Sequence, residues 1–276
     1  MRVSIVMAGR NSNPAFLKEA IDSVLNQSFQ DFEFIFVDDG SDNPMEPVVH
    51  SISNDARISI YRIEPSGLGA ALNYGIKKAK GEYIARLDDD DLMLPTRLEK
   101  QFAFLNTNAD VSCVGSFFYD MVGQKCYPHR KYPINNEEII KGLLSLHWGL
   151  AHTAVMFRKT SFDTIGGYRI PGGGQDLDLF LQLGTTGKLA NVDEYLTCYR
   201  MSETGLGSVN PKKKEAYLFA LENVVNRDLY HENRDITLLS INKLKEGMQS
   251  PKKKRKTRKL LVWRVKLFGK KLKTVL

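Results

Sequence analysis

The chain has 276 residues, of which 42% are apolar and 26% charged, with a mean hydropathy of -0.30. These values exclude a disordered, collagen-like or membrane-embedded chain and allow one large domain or two packed ones with a sizeable core. The net charge of +7 comes from one end: residues 252–276 hold 12 Lys and Arg and no acid, leaving 27 bases against 32 acids in residues 1–251. A basic partner surface is therefore expected in that segment and not across the body.

VSIVM (3–7) reads as a short buried strand, and PAFLKEAIDSVLNQ (14–27) as a helix opened by Pro14, with Phe16, Leu17, Ile21, Val24 and Leu25 at helical spacing. FEFIFV (32–37) is a second strand, ended by the turn-rich DDGSDNP, and RISIYRI (57–63) a third. GLGAALNYGIKKAKG is a helix entered through glycines and closed by Gly81, and EYIARL (82–87) is a fourth strand. This alternation predicts a mostly parallel sheet covered on both faces.

The fourth strand runs into ARLDDDDLMLP (85–95), where Asp88, Asp89, Asp90 and Asp91 are consecutive. A solvated turn would tolerate them, but repulsion among adjacent carboxylates grows as water is excluded, so a semi-buried run calls for a cation. Open sheets bind ligands beyond the carboxyl ends of their strands. Here those ends carry Ala8–Asn11, Asp38–Ser41 and Asp88–Asp91, a set suited to a nucleotide and its metal. If the strand continues past Leu87, Asp88 and Asp90 point the same way, and magnesium or manganese needs only one or two such carboxylates beside substrate phosphates. Asp91 has a competing structural reading, as the cap of a helix beginning near Pro95.

Beyond residue 110, short strand-like pieces span 111–133 and a helix covers NNEEIIKGLLSL (135–146). HWGLAHTAVMFR (147–158) mixes polar and aromatic groups, and Trp148 and His152 are candidates to line a ligand pocket, against the plainer reading that both pack. GGYRIPGGG is expected to be a mobile loop before the helix QDLDLFLQLG (175–184), in whose first turn Asp176 is either a cap or a functional acid. Two further helices are predicted in AYLFALENVVNRDLY and DITLLSINKLKEGM.

The ordered motifs VMAGRN (6–11), FVDDGSDN (36–43), ARLDDDDLMLPTRLEKQ (85–101) and GGYRIPGGGQDLDLFLQL (166–183) resemble those of family 2 glycosyltransferases. The resemblance covers about residues 2–200. It implies a GT-A-type α/β fold: a mostly parallel sheet flanked by helices, with a Rossmann-like nucleotide-binding half and a helical, basic C-terminal extension. The expected divisions are 1–110 for the nucleotide-sugar, 111–205 for acceptor and catalysis within the same domain, and 206–276 for the extension.

By motif, Asp39 corresponds to the residue that bonds the nucleotide base, with Ala8 and Arg10 beside it. Asp88 and Asp89 correspond to donor ribose or sugar contacts, Asp90 to the main metal ligand with Asp88 beside it, and Asp176 to the catalytic base. The implied cofactor is Mn²⁺ or Mg²⁺. The implied reaction is metal-assisted, inverting transfer from a nucleotide-sugar, UDP-linked by family precedent, to a hydroxyl of a surface polysaccharide, such as lipopolysaccharide or capsule, or of a lipid-linked glycan.

Two positions depart from the pattern. Met7, Gly9 and Arg10 stand where a Pro-x-Tyr/Trp-Asn loop is usual, so a guanidinium would replace the aromatic stack on the base. Gln175 precedes Asp176 where Glu is common, which adds Gln175 to Trp148 and His152 as acceptor-side candidates and keeps open a catalytically silent nucleotide-binding relative. A sugar nucleotidyltransferase would instead need a glycine-rich phosphate loop that AGRNSNP lacks.

Cys113, Cys126 and Cys198 are widely spaced and form no C-x-x-C pair, which argues against a disulfide framework and a zinc site and suits a reducing cytosol. MRVSIVMAGRN has too short an apolar run for a signal peptide, and no apolar stretch spans a bilayer. In the last residues Leu261, Val265, Phe268, Leu272 and Val275 recur at helical spacing among lysines, with Trp263 nearby. A basic amphipathic helix of this kind suits an anionic membrane surface, so the expected location is cytoplasmic, peripheral at the inner face. PKKKRK also admits a nucleic-acid-binding reading, but nothing beside it reads bases and no nucleic acid partner is expected.

Overall fold

The computed structural model describes residues 1–201 and 212–249. A nine-stranded sheet forms its centre. In chain order the elements are β1 (Val3–Gly9), α1 (Pro14–Leu25), β2 (Phe32–Asp39), α2 (Glu46–Ile52), β3 (Ile58–Ile63), α3 (Leu68–Lys78), β4 (Tyr83–Arg86), β5 (Leu92–Met93), α4 (Arg97–Thr107), β6 (Val111–Val122) and β7 (Lys125–Pro128). Then follow α5 (Asn136–Leu144), β8 (Met156–Arg158), α6 (Lys159–Ile165), α7 (Gln175–Leu183), β9 (Lys188–Arg200), α8 (Lys212–Glu222) and α9 (Arg234–Gln249). Among the described residues no helix is long and apolar enough to cross a membrane.

The strand order is β3-β2-β1-β4-β8-β6-β9-β5, with β7 paired to β6. β3, β2, β1 and β4 are mutually parallel, β8 is antiparallel to β4 and β6, and β9 runs parallel to β6. The predicted mostly parallel α/β sheet is therefore what the chain forms. β1 is buried along nearly its whole length because it lies between β2 and β4 with helices on both faces. Its side chains alternate accordingly: Val3, Ile5 and Met7 join the core under α1, α2 and α4, while Val6 and Ala8 join the core under α3, α5 and α7.

α1 begins where Asn13 accepts hydrogen bonds from the Ala15 and Phe16 amides and Pro14 presets the first turn. Its stripe of Leu17, Ala20, Ile21 and Val24 is fully buried, worth about 1.5–3 kcal/mol for each large side chain. An acid at Ile21 would break that face.

The chain corrects three local expectations. β4 ends at Arg86, and Asp88–Asp91 form a turn in which the Asp91 amide donates to the Asp88 carbonyl (3.3 Å), so strand alternation does not orient Asp88 and Asp90. Asp91 caps no helix: α4 starts at Arg97, and Asp91 Oδ1 accepts from the Arg200 amide (2.7 Å), tying the turn to the end of β9. The glycine loop 170–174 is packed instead of free, since the Gly69 amide donates to the Pro171 carbonyl (2.6 Å) and a Cβ on Gly69 would collide with the Ile170 carbonyl. The proposed membrane-binding helix within 252–276 lies outside the described residues.

Candidate active site

The three strand-end clusters meet at one edge of the sheet. The Asn11 amide donates to Ser41 Oγ (2.8 Å), and its side chain both donates to Asp42 Oδ2 (3.0 Å) and accepts from the Asp42 amide (2.9 Å). Asn11 sits in the left-handed region (φ 53°), which the local bonds of an Asn tolerate. Next to it, a Cβ on Gly9 would collide with the Ser12 hydroxyl and the Asp89 carboxylate, so only glycine lets the first loop lie against the acidic turn. Ala8 is buried in the floor and Arg10 projects into solvent.

Asp38 and Asp39 differ in what they hold. Buried Asp38 accepts from the Ser41 and Met45 amides (2.8 and 3.1 Å) and pairs with Arg62 (3.0 Å). Burial would raise its pKa, and the Ser41 and Met45 bonds with Arg62 outweigh that and lower it. Asp39 accepts the Ser66 amide on one oxygen (2.7 Å) and the Gly67 amide on the other (2.9 Å), which fixes the entry to α3. Gly67, at φ 91°, makes that turn possible. Each Asp39 oxygen retains a further lone pair.

The acidic turn is half-buried at Asp88, Asp89 and Asp90 and fully buried at Asp91. Burial, with the Asp88 and Asp89 charges behind it, pushes Asp90 up to about 7. Burial likewise raises Asp89, where the Ser12 hydroxyl draws it partly back, and raises Asp91 well above the ordinary range, with Asp88 and Asp90 adding to it. Beneath the turn lies Arg86, 1% exposed, whose Nη2 faces Asp88 Oδ1 at 2.5 Å. Its Nε and Nη1 meet no hydrogen-bond acceptor among the described residues. Arg200 closes the other side, donating from Nε to the Asp90 carbonyl (2.7 Å), pairing with Glu19 and lying over the Phe16 ring (4.1 Å).

Among the described residues no three His, Cys, Asp or Glu side chains converge into a protein cage for a metal. Magnesium-type chemistry asks less of the protein: one or two carboxylates, with water and substrate phosphates completing the shell. The under-compensated charge at Asp90, and an Asp88 with one oxygen not engaged by Arg86, fit such an ion.

Asp176 is half-buried in the first turn of α7, where its Oδ1 accepts from the Leu177 amide (3.0 Å) and Gly174 (φ 102°) precedes the helix. Burial raises its pKa, and Lys213 of α8 is the leading influence drawing it back. Arg86 acts on Asp176 as well as on the acidic turn, which makes this guanidinium the electrostatic link between the two. Tyr168 also feels Arg86, Asp176 and Asp88, and burial holds its hydroxyl protonated.

The acceptor-side candidates separate. His152 Nε2 is bonded to the Tyr168 hydroxyl (2.7 Å), and burial, then Arg86, lower its pKa well below the usual value. His152 thus sits behind Tyr168 and orients it. Trp148, half-buried at φ 67°, meets the Tyr217 ring edge-on at 5.5 Å. Gln175 is buried with its Oε1 unpaired among the described residues. Sequence reading missed Arg86, Tyr168, Arg200, Lys213 and Tyr217. Arg86 had a signal, a cation two residues before four acids, whereas the others arrive through space.

A family model described as Glycosyl transferase family 2 matches residues 4–166. The O-antigen biosynthesis glycosyltransferase WbnJ of Escherichia coli is 34% identical over 185 residues, covering 66% of this chain and 71% of WbnJ. S. aureus TarS, solved in complex with UDP-GlcNAc, superposes with a TM-score of 0.72 at 19% identity, over 88% of this chain and 72% of that one. The mannosyltransferase PcManGT from Pyrobaculum calidifontis, solved with GDP-Man and Mn²⁺, gives a TM-score of 0.64 at 14% identity, over 96% of this chain and 80% of its own. These two structural likenesses carry the GT-A fold. With the motifs VMAGRN, FVDDGSDN and ARLDDDD all inside the matched segment, the chain belongs to glycosyl transferase family 2 and is a glycosyltransferase.

Proposed function

We propose that this enzyme transfers a sugar from a nucleotide-sugar to a glycan hydroxyl by a single inverting displacement, with Asp176 as the base. The observation that carries the reading is the placement of Asp176: a half-buried carboxylate of raised pKa at the start of α7, linked through Arg86 to the acidic turn at the strand ends. The acceptor hydroxyl gives its proton to the Asp176 carboxylate, its oxygen bonds to the anomeric carbon, and the bond from that carbon to the diphosphate breaks. One displacement inverts the centre and needs no enzyme nucleophile.

Asp39, Ala8 and Arg10 border the place of the nucleotide base, and Asp88 and Asp89 that of the ribose and sugar. Asp90 with Asp88 would hold Mn²⁺ or Mg²⁺, which when bound neutralises charge on the diphosphate. UDP is the nucleotide we favour, on the TarS likeness and the family pattern, and O-antigen-type or other surface polysaccharide synthesis the setting, on the WbnJ likeness. The basic segment 252–276 would hold the enzyme at the inner face of an anionic membrane, on its composition.

The test is a panel of nucleotide-sugars scored for release of nucleoside diphosphate with Mn²⁺, Mg²⁺ or chelator, using the wild type, Asp90→Ala and Asp176→Asn. Metal-dependent release from one donor, lost in Asp90→Ala, is the expected result. Absence of release and of metal-dependent binding for every donor would overturn the reading in favour of a silent relative.

A further inference from the structure

Beside Asp176, α8 brings up a group of side chains that the donor chemistry leaves unused. Lys213 Nζ stands 5.8 Å from the centre of the Trp148 ring and 5.5 Å from that of Tyr217, and forms no ion pair with a described carboxylate. The two rings meet edge-on, so each contributes to fixing the ammonium in one place. Tyr217 is 8% exposed, and its hydroxyl has no hydrogen-bond partner among the described residues. A Cβ on Gly174 would come within 3.0 Å of the Tyr217 ring, which places that ring against the residue that opens α7, two positions before Asp176. Tyr217 also feels the Asp176 charge.

A buried phenol without a partner costs about 1–3 kcal/mol unless something bonds it. An ammonium held beside it over aromatic faces is a second donor, and an anion satisfies both. A negatively charged acceptor would otherwise be repelled by Asp176, and Lys213 is the charge that offsets this. The unpaired Gln175 Oε1, one residue from Asp176, supplies an acceptor for a neighbouring sugar hydroxyl.

We propose that Lys213, Tyr217 and Trp148 form an acceptor subsite for an anionic sugar unit, with the carboxylate or phosphate of the acceptor glycan on the Lys213 ammonium and the Tyr217 hydroxyl. The inference rests on the transferase reading for its meaning, since it names the class of acceptor that Asp176 would deprotonate. The carboxylate of an acidic sugar and a sugar phosphate share the recognised chemistry, and binding tells them apart.

The experiment titrates full-length protein, with UDP and Mn²⁺ present to fill the donor side, against methyl glucuronide, methyl glucoside and methyl glucoside 6-phosphate by saturation-transfer NMR. One anionic probe is expected to bind about tenfold more tightly than the neutral one, as a charge-assisted contact should. The tighter anion identifies the source. Lys213→Met should abolish the preference, Lys213→Arg should restore it, and Tyr217→Phe, which keeps the ring against Gly174, should weaken it about threefold or more. Equal binding of charged and neutral probes, or a preference that survives Lys213→Met, overturns the subsite. Donor hydrolysis by the wild type is scored separately. Absence of release and of metal-dependent donor binding, beside an intact, Lys213-dependent preference, would sink the proposed function and leave the anion subsite standing.

Discussion

Asp90 should make the protein less stable whenever no cation is present, and replacing it should show this directly. Its pKa moves from 3.8 to about 7 on folding, through burial and then the Asp88 and Asp89 charges. The folded state therefore keeps a proton that the unfolded state releases between about pH 4 and pH 7, so stability falls as pH rises through that window and is flat above it. At about 1.4 kcal/mol per unit the ceiling is about 4 kcal/mol. Asp88 and Asp89 remain in the variant and the ion carries its own solvent shell, so Asp90→Asn should gain about 1–2 kcal/mol at pH 8 in chelator. Urea denaturation at pH 5 and pH 8 measures it, with the gain shrinking at pH 5. Saturating Mn²⁺ should then stabilise the wild type, by about 2.7 kcal/mol at a hundredfold excess over Kd, and leave Asp90→Asn unmoved. A variant less stable than the wild type in chelator at both pH values, or one that gains equally from Mn²⁺, would refute the idea that uncompensated charge at this turn is what a cation relieves.

Three further outcomes follow from the same geometry. Asp176→Asn should lower transfer about 10²–10⁴-fold, and in the wild type the rate should climb as pH rises through the raised pKa of this base, so a rate with no acid limb above the ordinary carboxylate range would count against its role. Arg97, fully buried, donates to the carbonyls of Thr153 (2.8 Å), Arg86 (2.7 Å) and Val155 (3.1 Å) and to Gln101 Oε1 (3.0 Å); Val155 has a second donor in the Arg86 amide, so Arg97→Leu orphans two carbonyls and should cost about 3–5 kcal/mol by urea denaturation. Removing residues 252–276 should abolish sedimentation with vesicles rich in anionic lipid while donor hydrolysis persists; unchanged sedimentation would place the contact elsewhere.

Much of the nucleotide half was legible because its strands are short, continuous and apolar and its helices carry clean stripes, as in VSIVM and PAFLKEAIDSVL. The 13-residue β9 was not, since KLANVDEYLTCYR is buried at its ends but half-buried or exposed through its middle, and no single period describes it. α2 was hidden behind the turn chemistry of DDGSDNP, with two of its seven residues, Glu46 and Pro47, suited to a helix start. The donor-side carboxylates were legible because they are contiguous in sequence. Around Asp176 and Trp148, both of which the motifs and aromatic content marked, the neighbours Tyr168 and Lys213 were not legible, because they come from separate segments that only packing brings together.

Arg86 explains how one site holds so many acids without a metal cage. Asp89, Asp90, Asp176, Tyr168, Tyr199, His152 and Arg97 all feel this guanidinium. Burial alone would discourage its charge, and Asp88 outweighs burial, so the cation is permanent. The guanidinium pairs with Asp88, whereas at Asp90 burial and the Asp88 and Asp89 charges outweigh what Arg200 and Arg86 give back, so its charge is left short of compensation. Burial, and then the same charge, keep His152 neutral, and a neutral imidazole bonded to Tyr168 leaves that phenol in one orientation. Under the proposed roles, the donor side lacks a positive charge that an ion would bring, and the base side lacks none. That division is what a displacement needs when its leaving group is a diphosphate and its nucleophile a neutral hydroxyl.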